Sequence, residues 1–343
     1  MGKSNNTSVR DSNFELLRLL AMFGIIVHHL VIKGASTCGY VETYDYDRDG
    51  SMGLLLNSLA VGGVNCFVLI TGWFGVHKPM TGLIKVLMET MFFGLISYLI
   101  LIIIGGDSFS FGHLKDSMDF RLNWFVVSYI MLLLICPILE RSLKGIDYSE
   151  FKTWMVLLMI FNLVFVFYMN RLNDNGYNVV HFVFLYYIAR FLRESKGQQA
   201  NWYSILERYS WLLYFIMVVA LTAGYLFLNE YRHAPKSIKW FGYNNPILLL
   251  ASISFFVSIT KICIRSKVIN LLATGVFGVF ILHTTKYMIP WRNEFAHNVY
   301  LNYGYVGIIL FSLCVLVSCL LITVPGSKVI KKIIGRINLP QYR

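Results

Sequence analysis

Three ionisable side chains lie in the first long apolar segment of the chain, where a solvent-free surrounding is expected. They are Glu15, Arg18 and His29. Arg18 and His29 are 11 residues apart, which at about 100° per residue is close to three whole helical turns, so on a helix they share a face. The same helix separates them in depth by about 16 Å. Glu15 lies three residues before Arg18 and can pair with it.

This spacing suits a reaction that has two ends. An arginine near one membrane surface can hold an anionic substrate, and a deeper imidazole, which titrates near neutral pH, can serve as a general base. Ionisable groups inside spans are costly and usually face the bundle interior or a wet cavity. A structural alternative stays open, in which Arg18 reaches the lipid headgroups and His29 joins two helices. His28 points about 100° away from His29, so only His29 shares the face of Arg18.

Other polar or amphipathic residues interrupt later apolar segments. Asn65 and Thr71 lie in the second segment, Trp124 and Tyr129 in the fourth, and His283 near the end of the ninth. Each also has a plain structural alternative, since such residues join helices in membranes or anchor them at the interface. The six cysteines contain no C-x-x-C pair, so neither a disulfide framework nor a metal site is predicted.

The composition indicates that lipid is the solvent for most of the surface. Hydrophobic residues make up 57% of the 343 residues and charged residues only 14%, against roughly 25% charged in soluble domains. The net charge of +12 would suggest nucleic acid as a partner of a soluble protein. Here basic residues at the cytoplasmic ends of spans and near anionic lipid heads account for the excess, so membrane lipid is the expected partner and nucleic acid is not.

A membrane span needs about 20 mostly apolar residues, and about ten segments qualify. The fold class is therefore predicted to be an all-α, polytopic transmembrane helical bundle. The predicted spans are Phe14–Ile32, Met52–Val76, Gly82–Ile104, Trp124–Leu143, Phe151–Met169, Val179–Leu192, Tyr209–Leu228, Ile247–Ile264, Ile269–Pro290 and Tyr303–Pro325. No polar stretch is long enough for a second domain, so residues 1–343 are expected to form one membrane-embedded domain with a basic tail over 326–343.

The orientation follows from the distribution of lysine and arginine. With the N-terminus in the cytoplasm, 20 of the 30 basic residues fall on the cytoplasmic side and 10 on the other, which predicts that both termini are cytoplasmic. A multi-pass protein of the cytoplasmic (inner) membrane is expected. Lys85, Arg190 and Arg193 lie at cytoplasmic ends, where they could bind an anion or simply follow the positive-inside rule. The sequence leaves the oligomeric state open, with a homodimer as one option.

The motifs, taken in order, resemble those of the acyltransferase-3 family of membrane O-acyltransferases. The signature of that family is an arginine and a histidine separated by ten residues, which here are Arg18 and His29. The resemblance runs from Phe14 to about His283 and is closest to stand-alone members that modify surface polysaccharides or their lipid-linked precursors. The further segments similar to family motifs are Phe67–Gly72, Trp124–Leu139, Leu185–Arg190, Asn245–Pro246 and Phe277–His283.

The resemblance implies acyl transfer from a cytoplasmic acyl-CoA, usually acetyl-CoA, to a sugar hydroxyl without a metal. It implies that His29 is the catalytic residue and that Arg18 belongs to the donor site. The further candidate substrate-binding residues are Glu15, Asn65, Thr71, Lys85, Trp124, Tyr129, Arg190, Arg193 and His283. One departure concerns the third span, which in the family often begins with several arginines and a proline. Here that span has Lys78 and Lys85, followed by Glu89.

Two other classes of function compete with an enzyme. A transporter or flippase for a sugar or lipid-linked sugar would also have polar residues along a path through its helices. Such transporters often contain inverted repeats with paired, Gly- or Pro-broken helices, and no such pairing is found in the sequence. A sensory or scaffolding protein would have no need of His29 in line with Arg18.

Overall fold

The computed structural model describes residues 12–35, 48–169, 171, 174–232 and 238–337, and most of these residues are helical. No β-strand occurs within these ranges, and the predicted all-α bundle is confirmed. Among the described residues, eight helical segments are long and apolar enough to cross a membrane, which indicates a multi-pass membrane protein. They are Asn13–Gly34, Ser51–Phe74, Pro79–Ile103, Trp124–Ser142, Tyr148–Tyr168, Asn201–Leu228, Lys267–Thr284 and Met288–Ile334.

The two remaining predicted spans also fall on helices, one shorter and one more polar than the rest. The count of ten spans and the cytoplasmic termini stay predictions. In chain order the helices are α1 (Asn13–His29), α2 (Arg48–Ala60), α3 (Gly63–Phe74), α4 (Pro79–Ile103), α5 (Phe111–Met118), α6 (Trp124–Ser142), α7 (Tyr148–Phe161), α8 (Val179–Gly197), α9 (Asn201–Arg232), α10 (Pro246–Thr260), α11 (Lys267–Ala273), α12 (Val276–Thr284) and α13 (Met288–Ile334). Helix α1 continues into a π-helical turn over Leu30–Gly34, and α7 into another over Asn162–Tyr168.

Helix α1 packs closely against the second predicted span, which is broken into α2 and α3 at its glycines. A Cβ atom on Gly63 would lie 2.5 Å from the carbonyl oxygen of Ala21 in α1, which no side chain can tolerate. Small residues of this kind let helix backbones approach in a membrane. The close approach holds the inward face of α1 in a fixed rotation beside α3.

The ninth predicted span ends earlier than expected. It consists of α11 and α12 and stops at Thr284, because residues 285–287 turn before α13 begins. Pro290 lies in the first turn of α13, where proline is tolerated because the first backbone N–H groups of a helix have no partner within it. Because of this turn, His283 lies in the last turn of the short helix α12, where its side chain is buried.

Helix α13 contains a bend and extends beyond the predicted tenth span. Gly304 has φ +58° and separates Met288–Tyr303 from the following helix, since only glycine adopts such a conformation readily. The second part runs through Pro325 to Ile334. Residues 326–334 of the expected tail are therefore helical.

The short helix α5 lies on the side of the bundle where α4 ends and α6 begins. Asp116 accepts hydrogen bonds from Lys286 Nζ and Tyr287 Oη, both at 2.8 Å, and so connects α5 to the turn after α12. These hydrogen bonds lower the pKa of the Asp116 carboxyl below its ordinary value. The carboxylate form that accepts them is thus favoured at neutral pH.

Candidate active site

Helix α1 carries three of the predicted site residues on one continuous element. The helix is unbroken from Asn13 to His29, so the rise of about 1.5 Å per residue puts Arg18 and His29 about 16 Å apart along its axis. Arg18 Nη1 donates to Glu15 Oε2 at 2.5 Å, as the spacing predicts. The arginine and the histidine therefore lie at two different depths of the same helix.

His29 meets His283 across the bundle. The Nδ1 atom of His29 lies 3.3 Å from Nε2 of His283, and the Nδ1 atom of His283 lies 2.6 Å from the carbonyl oxygen of Val279. His283 is 3% exposed, whereas His29 keeps somewhat more accessible surface. The neighbouring His28 faces away and bonds instead to Asn57 Oδ1 at 2.6 Å, and the catalytic role of His29 stays a prediction.

These contacts assign the protons of both rings when the rings are neutral. A carbonyl oxygen only accepts, so His283 Nδ1 carries a proton and donates it to Val279, which leaves Nε2 as an acceptor. His29 then donates from Nδ1 to His283, and its own Nε2 keeps a lone pair. A histidine oriented in this way by a second group is suited to take a proton from a substrate.

Arg292 lies in α13 and hydrogen-bonds to the backbone of His283, which links α12 to α13. Its Nη1 atom donates to the backbone oxygen of His283 at 2.8 Å, and Nε and Nη2 donate to Asn293 Oδ1 at 3.2 and 2.8 Å. The side chain is 4% exposed. A cation at the C-terminal end of a helix is favourable because the last carbonyl groups carry partial negative charge. No sequence motif pointed to Arg292, since its role depends on the turn between α12 and α13.

A cavity of about 720 Å³ lies between α1, α3, α4, α6, α11, α12 and α13. Five predicted site residues line it, namely Glu15, Arg18, Thr71, Lys85 and Tyr129. Thr71 Oγ1 and Tyr129 Oη are 3.1 Å apart and form one polar pair in its wall. Sequence analysis missed seven further polar lining residues: Thr81, Glu89, Asn270, Thr274, Ser327, Lys328 and Lys331. In the sequence these residues lie among apolar neighbours and belong to no recognisable motif.

The cavity changes in character along its length. Its mouth, defined here by Arg18, Lys85, Lys328 and Lys331, is cationic. The opposite end is aromatic and contains Phe67, Phe125 and Phe280, with Phe125 and Phe280 ring centroids 5.0 Å apart.

The aromatic end lies about one helical turn from the histidine pair. Ile25, which precedes His29 by four residues, lines the cavity, and the Phe280 ring is 6.1 Å from the His283 ring. The same cavity therefore extends from the Arg18 level to about one helical turn from His29, and neither His29 nor His283 lines it.

Besides His283, four predicted substrate-binding residues do not line this cavity. Asn65 is buried and bonds to the Tyr243 carbonyl, Ser252 and His181. Trp124 packs against Tyr177 and Tyr243, with ring centroids 4.5 and 5.7 Å away.

The other two are basic residues of α8 that hold neighbouring helices. Arg190 pairs with Glu140 at 3.3 Å, and Arg193 donates to the Trp73 carbonyl at 2.8 Å. These contacts join α8 to α6 and to the end of α3. The roles of Asn65, Trp124, Arg190 and Arg193 in binding stay predictions.

The described residues contain no group of His, Cys, Asp and Glu side chains that could hold a metal ion. The acyltransferase-3 family model, described as an acyltransferase domain, matches residues 11–326. Neither the curated proteins nor the solved structures contain a match to this chain.

Proposed function

Because this chain belongs to the acyltransferase-3 family and is a multi-pass membrane acyltransferase, we propose that it uses a cytoplasmic acyl-CoA, usually acetyl-CoA, as its donor. The acceptor is a hydroxyl group of a cell-surface polysaccharide or of its lipid-linked precursor. The reaction takes place in the cytoplasmic membrane, with the α1 N-terminus on the donor side.

One observation carries this proposal. A single cavity begins among the cations Arg18 and Lys85 and ends at Ile25 and Phe280, which lie about one helical turn before His29 and His283 respectively. A donor with anionic phosphates, a long arm and a reactive thioester at the far end suits that order of charged, polar and apolar walls. In this arrangement the phosphates bind at the cationic mouth and the thioester lies at the apolar end of the cavity.

The chemical step follows from the hydrogen-bond chain at the histidine end. His29 Nε2 takes the proton of the sugar hydroxyl as the oxygen attacks the thioester carbonyl carbon. The tetrahedral intermediate collapses, the carbon–sulfur bond breaks, and the coenzyme A thiolate leaves. The proton on His29 passes to that thiolate, which leaves the acyl group on the sugar and the imidazole neutral again.

His283 acts in this step as a positioning residue. By accepting from His29 Nδ1 at 3.3 Å, it keeps the His29 Nε2 lone pair free and directed to the acceptor. It also stabilises the imidazolium that forms when His29 is protonated, as the orienting member of a catalytic triad does. Its own orientation comes from Val279 and Arg292.

The test is transfer of labelled acetyl groups from acetyl-CoA to glycan in membranes that contain the protein. His29→Ala is expected to lower transfer about 10²-fold or more, the range of general-base catalysis, at normal expression and unchanged acetyl-CoA affinity. His28→Gln is the matched control, because His28 faces Asn57 instead; transfer per folded protein should persist. Retained acetylation by His29→Ala would refute the catalytic role, and movement of glycan without any acylation would favour the transporter.

A further inference from the structure

The last helix supplies two lysines to the cavity from beyond the part of the chain that the family model matches. That match ends at residue 326, while α13 continues to Ile334. Ser327, Lys328 and Lys331 of this extension line the cavity. Residues 327, 331 and 334 recur at spacings of four and three, so they form one inward face.

This face meets the side of the cavity where the third span departs from the family pattern. Helix α13 packs directly on α4, because a Cβ atom on Gly326 would lie 2.8 Å from the Phe93 ring. On α4 the only basic lining residue is Lys85, where the family often has several arginines nearby. Helix α4 thus contributes one cation to the mouth, Lys85, and α13 contributes two more, Lys328 and Lys331.

The charges of the lining residues favour an anion. Arg18, Lys85, Lys328 and Lys331 give four positive charges, against two carboxyl groups, Glu15 and Glu89, so the wall carries a net +2 if both are ionised. Arg18 is paired with Glu15 and Lys85 with Glu89, the latter at 3.8 Å, which leaves Lys328 and Lys331 to supply the excess. Cations grouped around a concave mouth attract phosphate groups more strongly than isolated surface charges.

We propose that Lys328 and Lys331 bind the phosphate groups of the donor nucleotide at the cationic mouth of the cavity. This assignment rests on the proposed function, because it takes the donor to be a coenzyme A thioester. The two lysines are three residues apart, about 4.5 Å of helical rise, so each can contact a different phosphate. The thioester end then points along the cavity to His29.

The experiment compares two donors with purified full-length protein in nanodiscs of zwitterionic lipid. Acetyl-CoA carries the phosphates, whereas S-acetyl-pantetheine has the same thioester and arm without them. The double variant Lys328→Gln/Lys331→Gln is expected to raise KM for acetyl-CoA about tenfold or more, as charged hydrogen bonds are lost. KM for S-acetyl-pantetheine should stay within about twofold. Equal changes for both donors would overturn the proposal.

Lys332→Gln is the control for bulk charge, since it removes one positive charge from the same turn at a position that does not line the cavity. An equal rise in KM with Lys332→Gln would reduce the effect to bulk charge and overturn the proposal. An effect of the double variant that occurs only in nanodiscs with anionic lipid would make the lysines lipid anchors and overturn it as well.

Binding of adenosine 3′,5′-bisphosphate, measured without any acyl transfer, separates this proposal from the proposed function. Loss of that binding in the double variant, but not in Lys332→Gln, supports the site even if His29→Ala leaves acylation intact. If His29→Ala abolishes acylation and the double variant binds the nucleotide normally, the phosphate site is wrong and the proposed function stands. Failure of the unmodified protein to bind the nucleotide also overturns the site.

Discussion

The histidine pair, which lies just beyond the aromatic end of the cavity, and the cationic mouth are built in opposite ways. At the histidine end, short side chains form a buried chain from His29 through His283 to Val279, with hydrogen bonds of 3.3 and 2.6 Å. At the mouth, long and exposed side chains such as Lys328 and Lys331 surround an open space. The first end fixes the direction of one lone pair, whereas the second creates a field for a charged group. Chemistry at the first end therefore depends on geometry, and binding at the second depends on charge.

The difference has a physical reason. Proton transfer is efficient only when the base lies within hydrogen-bond reach of the proton, so a small displacement is costly. Attraction between a phosphate and several lysines acts over a longer range and tolerates mobile side chains. Substitutions at the histidine end should thus lower kcat, and those at the mouth should raise the KM for the donor.

The largest effect after loss of His29 is expected for His283→Leu. Leucine cannot accept a hydrogen bond, so the His29 ring loses its fixed tautomer and orientation, and kcat should fall about 10²-fold. KM for acetyl-CoA should change little, because His283 lies beyond the cavity. His283→Gln, which keeps an acceptor, should recover part of the rate; steady-state kinetics with both variants measures this. Equal loss in the two variants would argue against a role through hydrogen bonding.

A smaller effect, on binding instead of rate, is expected for Arg18→Ala. Loss of a charge-assisted hydrogen bond should weaken acetyl-CoA binding about tenfold, while kcat of the saturated protein changes less. Arg18→Lys keeps the charge without the planar fork and should be intermediate. Titration of acetyl-CoA by calorimetry on the purified protein checks this, and an unchanged affinity would refute the donor-site role of Arg18.

The smallest effect is expected from salt, which should change donor binding at the mouth but not the rate at the histidine pair. Raising the salt concentration from about 0.1 to 1 M shortens the Debye length from about 10 to 3 Å, which screens the exposed lysines of the mouth. KM for acetyl-CoA should rise several-fold, while kcat stays nearly constant because the histidine pair is shielded from solvent. A fall in kcat at constant KM would contradict the assignment of donor binding to the mouth and of the rate to the histidine pair.

Much of the architecture was predictable because it follows from local patterns. Runs of apolar residues predicted helices, and the structure has a helix at each predicted span. The bounds were less predictable: the turn at 285–287 and the extension to Ile334 depend on how α13 packs on α4 and α12. A bent apolar helix has the same hydropathy as a straight one, so hydropathy does not locate the bend at Gly304.

By itself the sequence determined that the chain is an all-α membrane protein, and the spacing along one helix determined the axis from Arg18 to His29. Both depend on helical periodicity, which is a local property. Only the tertiary structure brought His283 to His29, 254 positions away in the chain. It also decided that Lys328 and Lys331 face the cavity while Arg190 and Arg193 are held by Glu140 and Trp73. Such contacts depend on how whole helices pack, because a basic residue at a span end has the same sequence signal whether it faces lipid, a carboxylate or a cavity.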